Sequence, residues 1–152
     1  MYDINTWGKT TWIFFHTIAE KIDNNKFKDS IEDIENIITL ICGNLPCPEC
    51  SKHASMEMKK VNFKSMTDKK QLQMMLFNFH NKVNSHLKKK IYNEDDLNIY
   101  KKANFNLIYN NFFIIFGSNS NIPQLMNQSF HRQYNLPKIK ASLDRIKNNF
   151  IS

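Results

Sequence analysis

Two of the three cysteines in this 152-residue chain form a Cys-x-x-Cys pair, in Asn44-Leu-Pro-Cys47-Pro-Glu-Cys50-Ser-Lys-His53. Such a pair can close and reopen as a disulfide with little backbone movement, which is the layout of a dithiol redox centre. The two flanking prolines say where it sits. Pro46 disfavours helical geometry at Leu45 and ends the preceding helix. Pro48 suits the first turn of a new one, where its missing N–H costs nothing. Cys47 therefore falls at a helix N-terminus, where the backbone dipole favours the reactive thiolate. Two other readings stay open on spacing alone. Cys47, Cys50 and His53 could be ligands of a structural zinc, although such sites almost always take four protein ligands. No second Cys-x-x-Cys is present, and Cys42 lies across the proline turn. The pair could also be incidental.

Two more stretches carry polar chemistry at helical spacing. Gly8, Trp12 and His16 fall at i, i+4 and i+8 and share one face, with Phe15 and Ala19 beside them. Aromatic residues so spaced belong to a core, and His16 is either a core histidine satisfied by backbone or a partner for a planar ligand. Further on, His80, Asn84 and Lys88 form a polar stripe flanked by Asn81, beside an apolar stripe of Leu72, Leu76, Phe79, Val83 and Leu87. Asparagine is a poor helix former, so two of them mid-helix suggest side-chain work on a heterocycle edge, with lysines for phosphate. The alternative is a solvated helix face.

The elements that must position these residues read as helices. The first runs from near Thr10 to Lys21. The second runs from Asp29 to Cys42, with Ile31, Ile34, Ile38 and Ile41 as its stripe. The third runs from Pro48 to about Lys60. The fourth runs from Lys69 to Lys89, with Thr67 or Asp68 as N-cap. A fifth spans roughly Glu94 to Tyr109. Phe112–Phe116 reads as a short strand or buried coil, and Gly117–Pro123 as a loop. A last basic helix, about Pro137 to Phe150, turns Ile139, Leu143 and Ile146 to one side.

Three glycines and four prolines argue against an all-β fold, and three cysteines are too few for a disulfide scaffold. The longest apolar run, Phe112–Phe116, is far short of the ~20 residues of a membrane span. The start, Met1-Tyr-Asp-Ile, has no basic region of a signal peptide. The net charge of +7 permits a polyanionic partner, but no nucleic-acid-binding motif accompanies it, and none is expected.

Taken in order, the three stretches resemble the Erv/ALR family of FAD-linked sulfhydryl oxidases. Trp7-Gly8-Lys-Thr-Thr-Trp12-Ile-Phe-Phe-His16 is similar to the family's Gly-x-x-x-Trp-x-x-x-His helix. Leu45-Pro-Cys47-Pro-Glu-Cys50-x-x-His53 looks like its redox pair. His80-Asn81-x-Val83-Asn84-x-x-Leu87-x-Lys89 looks like its flavin-clamping helix. The likeness covers about Trp7 to Tyr100 and is nearest to the short enzymes of large cytoplasmic DNA viruses. It implies an all-α fold: a four-helix bundle with a short fifth helix, FAD at the bundle mouth, and a C-terminal extension carrying a further helix. The oxidase domain would be residues 1–110, and residues 111–152 an extension without an assigned role.

The resemblance also implies a chemistry. Substrate protein thiols would be oxidised to disulfides and O2 reduced to H2O2, by a homodimer. The thiol substrate would be a thioredoxin-like viral redox protein, in the virus factory of the host cytoplasm or in the virion. Cys47 would be the interchange thiol and Cys50 the thiolate facing the flavin. Gly8, Lys9, Trp12 and His16 would line FAD from the first helix and His53 from the third. His80, Asn81, Val83, Asn84, Leu87, Lys88 and Lys89 would hold it from the fourth. The rival from another class is a zinc-stabilised helical adaptor with a basic tail. Two departures from the family pattern stand out. Lys9 replaces a common arginine, exchanging a bidentate phosphate grip for a point charge, and Phe77 replaces a cysteine of a structural disulfide.

Overall fold

The computed structural model describes residues 3–118 and 123–151, leaving aside the side chains of residues 4 and 123–128. Its regular structure is helical throughout. Among the described residues the only β-type pairing is an isolated bridge between Ile22 and Phe150. The described residues form six α-helices: α1 (Ile4–Lys21), α2 (Phe27–Cys42), α3 (Pro48–Lys59), α4 (Lys69–His86), α5 (Phe105–Phe116) and α6 (Pro123–Ile146). A run of 3-10 turns, Glu94–Lys102, links α4 to α5. The all-α fold expected from sequence is what the chain adopts.

Local chemistry sets the helix ends. Asp3 caps α1 by accepting from the Thr6 N–H at 2.7 Å, so α1 begins at Ile4 and not near Thr10 as expected. The earlier start brings Trp7 and Gly8 into the helix. Asp68 caps α4 in a reciprocal capping box with Gln71. That helix ends at His86, three residues before the expected Lys89. Lys88 takes up a left-handed φ of 58° there, and the Lys89 N–H reaches the Asn84 carbonyl at 2.8 Å. This is the reversal that usually falls to glycine, and in lysine it costs on the order of 1 kcal/mol.

The C-terminal third departs most from expectation. The expected fifth helix is two elements: the chain breaks at Ala103 and restarts at Asn104, whose side chain accepts from the Leu107 N–H. Phe112–Phe116 is neither strand nor coil but the second half of α5. The expected 110/111 boundary thus falls inside that helix. The last helix starts at Pro123, fourteen residues before Pro137, which lies inside it. Of the expected Gly117–Pro123 loop, residues 119–122 lie outside the described residues.

The helices share one core. α4 and α5 pack on α1, while α3 and α6 pack on α2. Phe14 and Ile18 of α1, Ile34 and Ile38 of α2, Leu72 and Leu76 of α4, Phe112 and Phe116 of α5, and Ile139 and Leu143 of α6 belong to the same buried cluster. Phe112 lies face to face with Phe14 at 4.4 Å and edge-on to Trp7 at 6.4 Å. Burying each such ring contributes about 1.5–3 kcal/mol. Ile139, Leu143 and Ile146 are buried together, as their spacing predicts.

Candidate functional site

The cysteine pair sits where the prolines place it. Cys47 is the N-cap of α3, with extended backbone (φ −98°, ψ 113°), and Pro48 opens the first turn. The Cys50 N–H points at Cys47 Sγ, 3.3 Å away, so a sulfur does the work that a hydroxyl or carboxylate does at most helix starts. Ser51 N–H donates to the Cys47 carbonyl at 3.0 Å. Cys47 is half-buried and Cys50 exposed. All three cysteines are free thiols here, so the geometry is that of the dithiol.

The two sulfurs of the pair are not equivalent. Desolvation, then the hydrogen bond and charge of Cys47, push the Cys50 thiol up to about 12. Of the two sulfurs, Cys47 is the one that faces the helix N-terminus. Cys42, buried at the end of α2, is also raised to about 12, by burial alone, and is inert as a nucleophile.

The second constellation is a stack of rings between α1 and α4. Trp12 and His80 are stacked, 4.1 Å apart and within 8° of parallel. His16 Nε2 meets His80 Nδ1 at 2.9 Å, one imidazole donating and the other accepting. Burial first and His80 second push His16 down to about 3. Burial first and the Lys89 charge second push His80 down to about 4. With both values this low the rings are neutral at physiological pH, and one nitrogen can donate while the other accepts. Tyr100 stacks on His16 at 5.0 Å, and Tyr92 leans on His80 at 5.3 Å.

Gly8 lies two turns before His16 on the same face, and a Cβ added there would meet nothing within 4 Å. The face thus runs from open space at Gly8, past a half-buried Trp12, to a buried His16. A planar group could lie along it.

Asn81 and Asn84 have their amides committed within the chain. Asn81 accepts from the Tyr92 N–H and donates to the Tyr92 carbonyl, both at 2.9 Å. Asn84 Nδ2 donates to the Lys90 carbonyl at 3.1 Å. Together they fold the segment after α4 back on the helix and place Tyr92 over His80. Their mid-helix positions did signal side-chain work, and the bonds they make here are to backbone.

Among the remaining expected residues, Val83 packs against the core, while Leu87, Lys88 and Lys89 are exposed at the α4 terminus. Lys9 is exposed on α1. His53 is exposed on α3 and stacks on His86 of α4 at 5.6 Å. Among the described residues no group of three or more His, Cys, Asp or Glu is placed to hold a metal ion. The zinc reading of Cys47, Cys50 and His53 therefore has nothing to support it. Tyr92 and Tyr100 were not singled out from sequence as site residues. Their only signal there was an aromatic at each end of a polar, charged segment.

A helical fold with a dithiol capping one helix and a ring-lined face between two others defines a redox-type α-helical domain. Comparison with known proteins makes this specific. Residues 9–104 match the model of the Erv1 / Alr family. The FAD-linked sulfhydryl oxidase of African swine fever virus (isolate Tick/Malawi/Lil 20-1/1983) is 34% identical over 104 residues, covering 67% of this chain and 86% of that one. A protein of Invertebrate iridescent virus 3 is 31% identical over 88 residues, 57% of this chain and 60% of its own. FAD-linked sulfhydryl oxidase ERV2 of Saccharomyces cerevisiae is 31% identical over 85 residues, 56% of this chain and 43% of its own. The chain thus spans less than two thirds of the iridescent-virus and yeast relatives. It belongs to the Erv1/Alr family.

Proposed function

We propose that this chain is an FAD-linked sulfhydryl oxidase that introduces disulfides into protein substrates. The observation that carries the reading is the Cys-x-x-Cys pair at the α3 N-terminus, with Cys47 Sγ facing the Cys50 N–H. The residues present fit a flavin nucleotide. The α1 face is open at Gly8 and walled by Trp12, and exposed Lys9, Lys88 and Lys89 offer charge for phosphate. Bound FAD would supply acceptance of two electrons from the dithiol and their transfer to O2, giving H2O2.

The rest follows from the chain's own residues. In the oxidised pair, a substrate thiolate attacks Cys47 Sγ. The Cys47–Cys50 bond breaks, and its electron pair leaves on Cys50. With Cys47 in a mixed disulfide, its hydrogen bond and charge no longer add to the desolvation that raises the Cys50 thiol, so Cys50 carries the anion more readily than in the dithiol. A second substrate thiolate then attacks the substrate sulfur and releases Cys47 as thiolate, stabilised by the Cys50 N–H and the helix terminus. Cys50 is the more exposed of the pair, as fits a sulfur that a bound flavin would cover. Neutral His16 and His80, their faces packed against Trp12, Tyr92 and Tyr100, would offer the same group the ring nitrogens left outside their mutual bond.

The viral relatives favour a viral oxidase. In this reading it acts as a homodimer whose thiol substrate is a thioredoxin-like viral redox protein, in the virus factory or virion. No helix among the described residues is long and apolar enough to cross a membrane. Oxygen consumption with a dithiol substrate tests the activity: uptake with matching H2O2 and loss of thiol supports it, and thiol loss without oxygen uptake would overturn it.

A further inference from the structure

The C-terminal helix reaches the redox turn through one buried polar chain. Asn44, Ser51 and Asn135 are 2%, 7% and 5% exposed. Asn135 Nδ2 on α6 donates to Asn44 Oδ1 at 3.3 Å and to the His131 carbonyl at 3.0 Å, one hydrogen for each. Asn44 Nδ2 donates to the Leu40 carbonyl at 2.6 Å. That contact fixes the amide's orientation, because the flipped amide would set oxygen against oxygen. From the other side, Ser51 Oγ accepts from the Leu45 N–H at 3.1 Å and donates to the Cys42 carbonyl at 2.7 Å. The segment from Cys42 to Cys47 is thus gripped at both ends.

We infer that Asn135 is a positioning residue of the dithiol: through Asn44 it holds the turn that sets Cys47 as the sulfur cap of α3. Buried amides in a network of this kind are costly to leave unpaired, so each fixes the next. If Asn135 lets go, Asn44 loses its only partner outside α2 among the described residues, and the turn can leave the conformation that aims Cys47 Sγ at the Cys50 N–H. The helix that lies beyond the family-matched residues would then set the reactivity of the family's redox pair. The inference rests on Cys47 being the attacked sulfur of the proposed oxidase.

The test is alkylation of the reduced protein with iodoacetamide at neutral pH, with label at Cys47 followed by peptide mass spectrometry. Asn135→Ala, Asn135→Leu (which fills the volume without a donor) and Asn44→Ala should each slow Cys47 labelling about threefold or more, since thiolate stabilisation sets the rate. The Asn44→Ala/Asn135→Ala double variant should be no slower than the slower single, as expected of one shared interaction. Ile139→Val, a packing loss one turn along α6, should leave the rate unchanged. Wild-type labelling rates in the folded Asn135 or Asn44 variants, or equal slowing by Ile139→Val, would overturn the inference. The assay needs neither flavin nor turnover. A chain that binds no flavin would therefore contradict the oxidase reading while this comparison is still decided on its own.

Discussion

At the residue scale, the account turns on the inequality of two sulfurs. Cys47 caps a helix and Cys50 is held at about 12 by desolvation and by Cys47 itself. The roles can be separated by spectrum. Cys47→Ser should abolish turnover and leave Cys50 alone beside the flavin, giving a long-wavelength charge-transfer band. Cys50→Ser should abolish turnover without that band, and identical spectra for the two variants would reverse or remove the polarity. Cys42→Ser should retain most activity, because Cys42 is buried and its thiol lies far above neutral pH; a folded but inactive variant would contradict this. The two histidines make a further prediction. Their protons are refused in the folded state, with values of about 3 and 4 against about 6.5 in the unfolded chain. The unfolded chain therefore binds more protons below about pH 6.5, and stability falls as pH drops from there toward 4. Urea unfolding between pH 6.5 and 5 should show a slope from the two histidines of up to about two protons, and His80→Phe should reduce it by about one. A slope unchanged by His80→Phe would mean that His80 is not the depressed group.

At the element scale, the site depends on how α1, α3 and α4 are started and stopped. The pinning of Tyr92 by Asn81 is exposed to test: Asn81→Ala should cost about 1–3 kcal/mol and loosen the segment after α4. The readout is chemical denaturation together with amide exchange over residues 88–93, and unchanged exchange there would refute the pinning role. Much of this was legible in sequence, and the reasons are local. Pro46, Pro48 and Asp68 mark boundaries whose chemistry is complete within four residues, so α3 and the start of α4 fall within a residue of expectation. Gly8, Trp12 and His16 share a helix, so their common face follows from spacing. What was illegible depends on distant partners or on masked periodicity. Five consecutive apolar residues in Phe112–Phe116 hide the helical stripe of α5, whose inward members are Phe112 and Phe116, while Ile114 is 62% exposed. Pro137 looks like a helix start because proline suits a first turn, yet it lies within α6. Tyr92, Tyr100 and Asn135 meet the site only through tertiary packing, which no spacing rule reports.

At the scale of the whole molecule, the region shared with the family ends at residue 104, but the core does not. α5 covers α1 and α6 covers α2. Removing residues 105–152 should therefore strip cover from Phe14 and Ile34 and leave a chain without fixed tertiary packing. Near-ultraviolet circular dichroism checks this, and a native-like spectrum from the truncated chain would show the first 104 residues to be self-sufficient. More finely, Phe112→Ala in the full chain should cost about 3–5 kcal/mol in denaturation. The central claim is that this fold brings a dithiol and a flavin together, and one measurement meets it directly. The purified protein should carry about one FAD per chain, absorbing near 450 nm, and the band should bleach when a dithiol is added without oxygen and return when air is admitted. Folded protein without that band, or a band that dithiol does not bleach, would contradict the account.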